Sequence, residues 1–139
     1  MTKKITLKEA VNFHGHLGPY LVLGVLAGEA ALKILECRKY FGLNVSVSGA
    51  SEKPKSCFID GIQLSTGATY GKGNINKTKT RTLAAKFINI DNKKSLTLKF
   101  KNDLIKKLRV ALTHKECEAL ALNLYKTHYS KLFFIKLEK

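Results

Sequence analysis

From Ala10 to Gly28 the chain carries no formal charge, and from Pro19 to Gly28 every residue is apolar or glycine. Proline is favoured in the first turn of a helix, where its missing N–H is no loss, so Pro19 opens a long helix expected to run toward Tyr40 and stop against Gly42. Leu21, Val22, Val25, Leu26, Leu32 and Leu35 leave the first half of that helix without a polar side, so every face of it needs cover. A chain of 139 residues is one domain's worth and has few layers with which to provide that cover. Two solutions follow: the helix is wrapped by its own fold, or part of Tyr20 to Ala31 is buried against a second copy. The expectation is a homodimer, because an isologous two-fold contact is the commonest way to hide such a surface. A membrane span is excluded, since Asn12, His14, Gly15, His16, Gly18 and Pro19 interrupt the uncharged stretch. A secretory signal is excluded as well, because Lys8, Glu9 and Asn12 break any apolar region near the start.

The rest of the chain alternates helical and strand patterns. Thr6 with Glu9 forms a capping box, predicting a short helix from Leu7 that ends before His14. Leu43, Val45 and Val47 alternate with polar residues as a half-buried strand does, and Cys57 to Leu64 reads as a short helix. Thr66 to Asn76 contains Gly67, Gly71 and Gly73, which argues for irregular backbone in close approach to something. Two strands, Leu83 to Ile90 and Leu96 to Phe100, flank the turn Asp91-Asn92-Lys93-Lys94. Asn102 is the expected cap of a helix through Leu104, Ile105, Leu108, Ala111 and Leu112. Thr113 with Glu116 caps another that reaches about Lys126, and residues 132–137 form an edge strand.

The net charge is +15 and unevenly placed: residues 72–139 hold seventeen bases against five acids, residues 1–71 eight against five. A solvated lysine surface explains this, since Arg38, Arg81 and Arg109 are the only arginines and bidentate phosphate recognition favours arginine. The alternative is a basic module that binds nucleic acid or another anionic partner, with Lys106, Lys107 and Arg109 on one helix, although no nucleic-acid motif accompanies them. Cys37, Cys57 and Cys117 are too few and too scattered for a disulfide framework, which places the protein in the cytoplasm.

Two blocks carry chemistry. Phe13-His14-Gly15-His16 sets two imidazoles beside a glycine at a helix junction, suited to a metal ion and equally to hydrogen-bonded structural histidines. Cys57-Phe58-Ile59-Asp60-Gly61-Ile62-Gln63 puts a thiol and a carboxylate on one helical face, where the helix N-terminus would lower the thiol's pKa; a buried inert cysteine is the plainer alternative. Gly67-x-x-x-Gly71-Lys72-Gly73 is one residue short of a phosphate loop and has glycine where magnesium needs Ser or Thr, so it is not a nucleotide P-loop; its amides and Lys72 remain a weak anion-site candidate.

Together FHGHLGPYLVLGVLAGEAAL (residues 13–32) and CFIDGIQLSTGATYGKGNI (residues 57–75) resemble the FmdE family, named after a component of formylmethanofuran dehydrogenase. The resemblance implies an α+β fold, an α-β-α-β-β-β core with a mostly antiparallel sheet flanked by helices, spanning residues 1–139 as one domain and often assembled as a dimer. It implies that His14, His16 and Cys57 are metal ligands, and two nitrogens with one thiolate suit zinc with a fourth position left open. Asp60, Gln63 and Lys72 are then candidates to orient a ligand or meet a small organic substrate. The chain departs from the family pattern at Gly18 and Ala68, where cysteines often stand, and lacks the CxxC pairs of a C-terminal zinc finger. Its three cysteines cannot hold the iron–sulfur centres that formylmethanofuran redox chemistry needs, so the resemblance implies an accessory protein or an enzyme on a small substrate.

Overall fold

The computed structural model describes residues 4–139; residues 1–3 of the expected 1–139 domain lie outside the described residues. Its elements are α1 (Leu7–His14), α2 (Pro19–Leu35), β1 (Leu43–Ser48), α3 (Cys57–Thr66), β2 (Ile75–Thr78), β3 (Ala84–Asn89), β4 (Ser95–Phe100), α4 (Asn102–Val110), α5 (His114–Tyr125) and β5 (Phe133–Glu138). The stretch from α2 to β4 is the α-β-α-β-β-β core that the resemblance implied. One open sheet runs β2-β1-β3-β4-β5, parallel between β1 and β2 and antiparallel elsewhere. No helix among the described residues is long and apolar enough to cross a membrane.

The apolar first half of α2 is covered within one chain. Leu21, Val22, Leu23, Val25, Ala27, Ala30 and Ala31 are buried, and α2 packs along α3 while also meeting α5, β3 and β4. The apolar character of α2 therefore does not call for a second copy.

What lets α2 and α3 approach is glycine on both sides of the crossing. An ideal Cβ on Gly24 would collide with the Phe58 carbonyl and lie 2.8 Å from Gly61 Cα; one on Gly61 would collide with the Leu21 carbonyl and lie 2.7 Å from Gly24 Cα. One turn on, Gly28 faces Ser65, whose hydroxyl reaches the Gly61 carbonyl at 3.1 Å and is buried. The backbones touch with no side chain between them, which fixes the depth of α3 against α2.

Several boundaries differ from the sequence expectation for tertiary reasons. Instead of reaching Tyr40, α2 stops at Leu35, where Glu36 turns left-handed at φ 50° and the buried Asn89 side chain donates to the Leu35 carbonyl at 3.0 Å. The chain then crosses to α3, with the Tyr40 N–H on the Thr66 carbonyl at 2.8 Å. Strand β2 lies inside the stretch expected to be irregular; only Ile75 of it is buried, so no alternation marks it and its pairing with β1 defines it. Of the three glycines there, Gly67 does meet a close neighbour, the Tyr40 ring, and its φ of 77° suits only glycine without strain, whereas Gly73 is open and Gly71 meets only Thr69 Oγ1 at 3.9 Å. Lys101, not Asn102, occupies the cap position of α4 and makes no side-chain capping bond. Both capping boxes form as expected, at Thr6 with Glu9 and at Thr113 with Glu116.

Gly61→Ala is expected to lower the unfolding free energy by about 1–3 kcal/mol through overpacking, and Gly24→Ala by as much. In a urea titration, a Gly61→Ala protein as stable as the wild type would refute backbone contact at this crossing.

Candidate functional site

The site begins where α1 ends. Gly15 takes φ 105°, a left-handed conformation that reverses the chain after His14 and brings the His16 ring back to a centroid distance of 4.6 Å from the His14 ring. The next residues, Leu17 and Gly18, lead directly into Pro19 at the head of α2. Because α3 is seated against α2 by the glycine contact, Asp60 on its first turn reaches across, and His14 Nδ1 lies 2.7 Å from Asp60 Oδ2.

The two ring nitrogens of His14 have opposite fates. Nδ1 is engaged by Asp60, which leaves Nε2 as the second ring nitrogen. That atom is buried and has no hydrogen-bond partner among the described residues, while the side chain as a whole is 8% exposed. A buried polar atom without a partner costs about 1–3 kcal/mol. His16, by contrast, is exposed. An ideal Cβ on Gly18 would lie 3.3 Å from His16 Nε2, so position 18 borders the His16 imidazole. Gly18 itself is extended at φ −142°, a conformation open to any residue.

Cys57 is the first residue of α3, one turn before Asp60 on the same helix. Burial pushes its thiol above the usual range and the Asp60 charge adds to this, while Lys53 and a backbone hydrogen bond pull the other way. The lowering expected from the helix N-terminus is thus outweighed by burial and by a neighbouring anion. Gln63 accepts the Tyr70 N–H on Oε1 at 3.1 Å. Lys72 turns elsewhere: its ammonium is 3.2 Å from Thr69 Oγ1 and lies over the Tyr40 and Phe41 rings, 6.0 and 5.4 Å from their centroids.

The structure therefore gathers His14, His16 and Asp60, places Cys57 one helical turn from Asp60, and ties Gln63 to the loop beyond. Among the described residues, no three His, Cys, Asp or Glu side chains converge as a ready metal-binding group. One residue was missed by sequence reasoning. Tyr70 is half-exposed, and burial together with the Asp60 charge raises its phenol pKa, so a neutral hydroxyl stands within the field of the same carboxylate. Only its place seven residues after Gln63, inside the same block, hinted at this.

The family model described as FmdE, molybdenum formylmethanofuran dehydrogenase operon, matches residues 13–133. A tungsten formylmethanofuran dehydrogenase FmdE-like protein from Syntrophus aciditrophicus has a similar structure, with a TM-score of 0.70 and 15% sequence identity over 100% of this chain and 77% of that one. At that identity the likeness concerns the fold. No curated protein matches the sequence.

Asp60→Ala removes the partner of a buried imidazole nitrogen and is expected to cost about 1–3 kcal/mol of stability, with Asp60→Asn, which keeps an acceptor, costing less. Denaturation midpoints that do not separate the two variants would show that the His14–Asp60 bond does not hold in solution.

Proposed function

The chain belongs to the FmdE family, and from that premise we propose that it is a metal-binding protein associated with formylmethanofuran dehydrogenase chemistry, its metal held by His14 with His16 and Cys57. The observation that carries this reading is the state of His14. A carboxylate fixes one ring nitrogen while the other is buried, partnerless and available as a lone pair. Metal-ligating histidines almost always have their second nitrogen held by a carboxylate, carbonyl or water in this way. A divalent cation on Nε2 would satisfy the one buried side-chain atom without a partner among the described residues.

The donor set of two imidazoles and one thiol fits zinc, and three protein ligands leave a position for water or substrate. When bound, such an ion supplies Lewis acidity toward a carbonyl oxygen or a coordinated water. The chain's own residues do the rest. Asp60 holds the His14 ring in one orientation and one tautomer. Its charge and burial keep Cys57 in the thiol form until a cation compensates. Tyr70, neutral and half-exposed, offers a hydroxyl to a small organic substrate, and the Gln63 bond to its backbone anchors it.

Metal analysis of protein purified without a polyhistidine tag tests this. We expect about one zinc per chain in the wild type, as a three-ligand site requires, with loss of most of it in His14→Ala and in Cys57→Ser. Metal-free wild-type protein that takes up no zinc on titration would overturn the reading.

The same proposal includes a homodimer, now placed away from α2. The edge strand β5 leaves Phe134, Ile135 and Leu137 exposed, an unpaired and largely apolar border of the sheet. Sedimentation equilibrium is expected to give twice the chain mass, and Leu137→Lys to shift it toward the monomer. A monomer mass for the wild type at micromolar concentration would refute it.

A further inference from the structure

A cavity of about 590 Å³ opens at the end of the sheet where β4 passes into α4. Its volume is in the range of small-molecule sites. None of His14, His16, Cys57 and Asp60 lines it, so it is a different place from the candidate metal centre. Four cations, Lys55, Arg81, Lys99 and Arg109, surround it, and no carboxylate is among its lining residues. Two of the chain's three arginines therefore meet at one cavity, although they lie 28 positions apart in sequence.

The remaining wall is apolar and aromatic. Leu83, Ile105 and Leu108 form one side. Tyr20 and Phe100 stack at a centroid distance of 6.3 Å with an interplanar angle of 26°, and Phe134 stands opposite Lys99 across the β4–β5 register, so both project from one face of the sheet. A second cavity of about 350 Å³ lies beside this one, with Lys55 and Arg81 lining both. Its wall is more polar than apolar, adding Lys53, Lys79 and the single acid Glu52.

The two basins differ in chemistry in a way that describes their occupant. One end is aromatic and apolar, the other is a cationic trough, and Lys55 and Arg81 stand at the junction. We propose that this composite cleft binds a nucleoside polyphosphate, the base against Tyr20 at the apolar end and the phosphates running past Lys55 and Arg81 toward Lys53 and Lys79. Arginine forks match phosphate oxygens two at a time, and planar bases stack on aromatic rings whatever their identity. Asn102 places the start of α4 on the cavity, and that helix has no side-chain cap, with Asp103 the acid of its first turn.

The cleft also lies close to the candidate metal centre. Tyr20 is four positions after His16, and Lys55 is two before Cys57. Those separations limit the distances between Cα atoms to about 14 Å and about 7 Å. The proposal nevertheless stands without the metal, since no ligand of that centre takes part.

Calorimetric titration with ATP, GTP and UTP at physiological ionic strength tests it, with adenosine and inorganic tripolyphosphate as half-ligands. Nucleoside triphosphates are expected to bind at least about tenfold more tightly than tripolyphosphate, with adenosine weaker still. Arg81→Gln and Arg109→Gln, both at exposed positions, are each expected to weaken ATP about tenfold, the usual scale for a lost charge-assisted hydrogen bond. Lys106→Gln, which removes the same charge from α4 outside the cleft, should leave affinity within twofold (about 0.4 kcal/mol). Cys57→Ser should also leave it unchanged. No binding of any triphosphate at millimolar concentration overturns the proposal. So does equal affinity for tripolyphosphate, or equal weakening by Lys106→Gln, either of which would reduce the effect to net charge. Loss of ATP binding in Cys57→Ser would put the nucleotide on the metal centre instead. A single-stranded oligonucleotide that outcompetes ATP and falls away steeply with salt would make the surface a nucleic-acid face and likewise overturn it.

Discussion

The contact between Gly24 on α2 and Gly61 on α3 governs where everything else stands. Both helices lose their side chains at the crossing, so the backbones meet, and the depth and rotation of α3 are set by atoms that cannot adjust. Interiors pack at crystal-like density, and a backbone contact has less slack than one made through flexible side chains. One turn before Gly61, α3 carries Cys57, and the residue directly before Gly61 is Asp60. The bond from Asp60 to His14 thus inherits its geometry from a contact between two glycines. The FmdE chain spends its tightest packing on the helix that holds half of its candidate centre.

Around that contact the polar groups are divided by solvent access. His14 is nearly closed off and bonded on one side only, while His16, a left-handed glycine away, remains in water. Asp60 is the electrostatic hub, hydrogen-bonded to an imidazole and raising the pKa of both the Cys57 thiol and the Tyr70 phenol. A single carboxylate thus acts on three different groups. A cation arriving beside it would ease the desolvation that now holds the thiol protonated.

The surplus of positive charge follows a different logic. Most of the lysines stand singly on exposed positions of strands, turns and helices, where water screens them. At the junction of β4 and α4 arginines and aromatic rings share one cavity, and there the charge acquires shape. The structural likeness to an FmdE-like protein of low identity extends over the whole chain, so this end of the fold belongs to the shared architecture.

Local physics was legible in the sequence wherever one short segment carried its own instruction. The capping boxes at Thr6 and Thr113, the alternation in β1 and β4 and the proline at the head of α2 each specify structure through neighbours a few residues away. The FHGH and CFIDGIQ blocks could be picked out in the same way, because their residue types are unusual for a core. Tertiary structure alone decided the rest. It ended α2 at Leu35 through Asn89, made a strand of β2 by pairing it with β1, and covered the apolar helix with the chain's own α3 and α5. It also left His14 Nε2 without a partner among the described residues and turned Lys72 away to Thr69. Those outcomes depend on which distant segments arrive beside a group, and periodicity along one segment contains no information about its future neighbours.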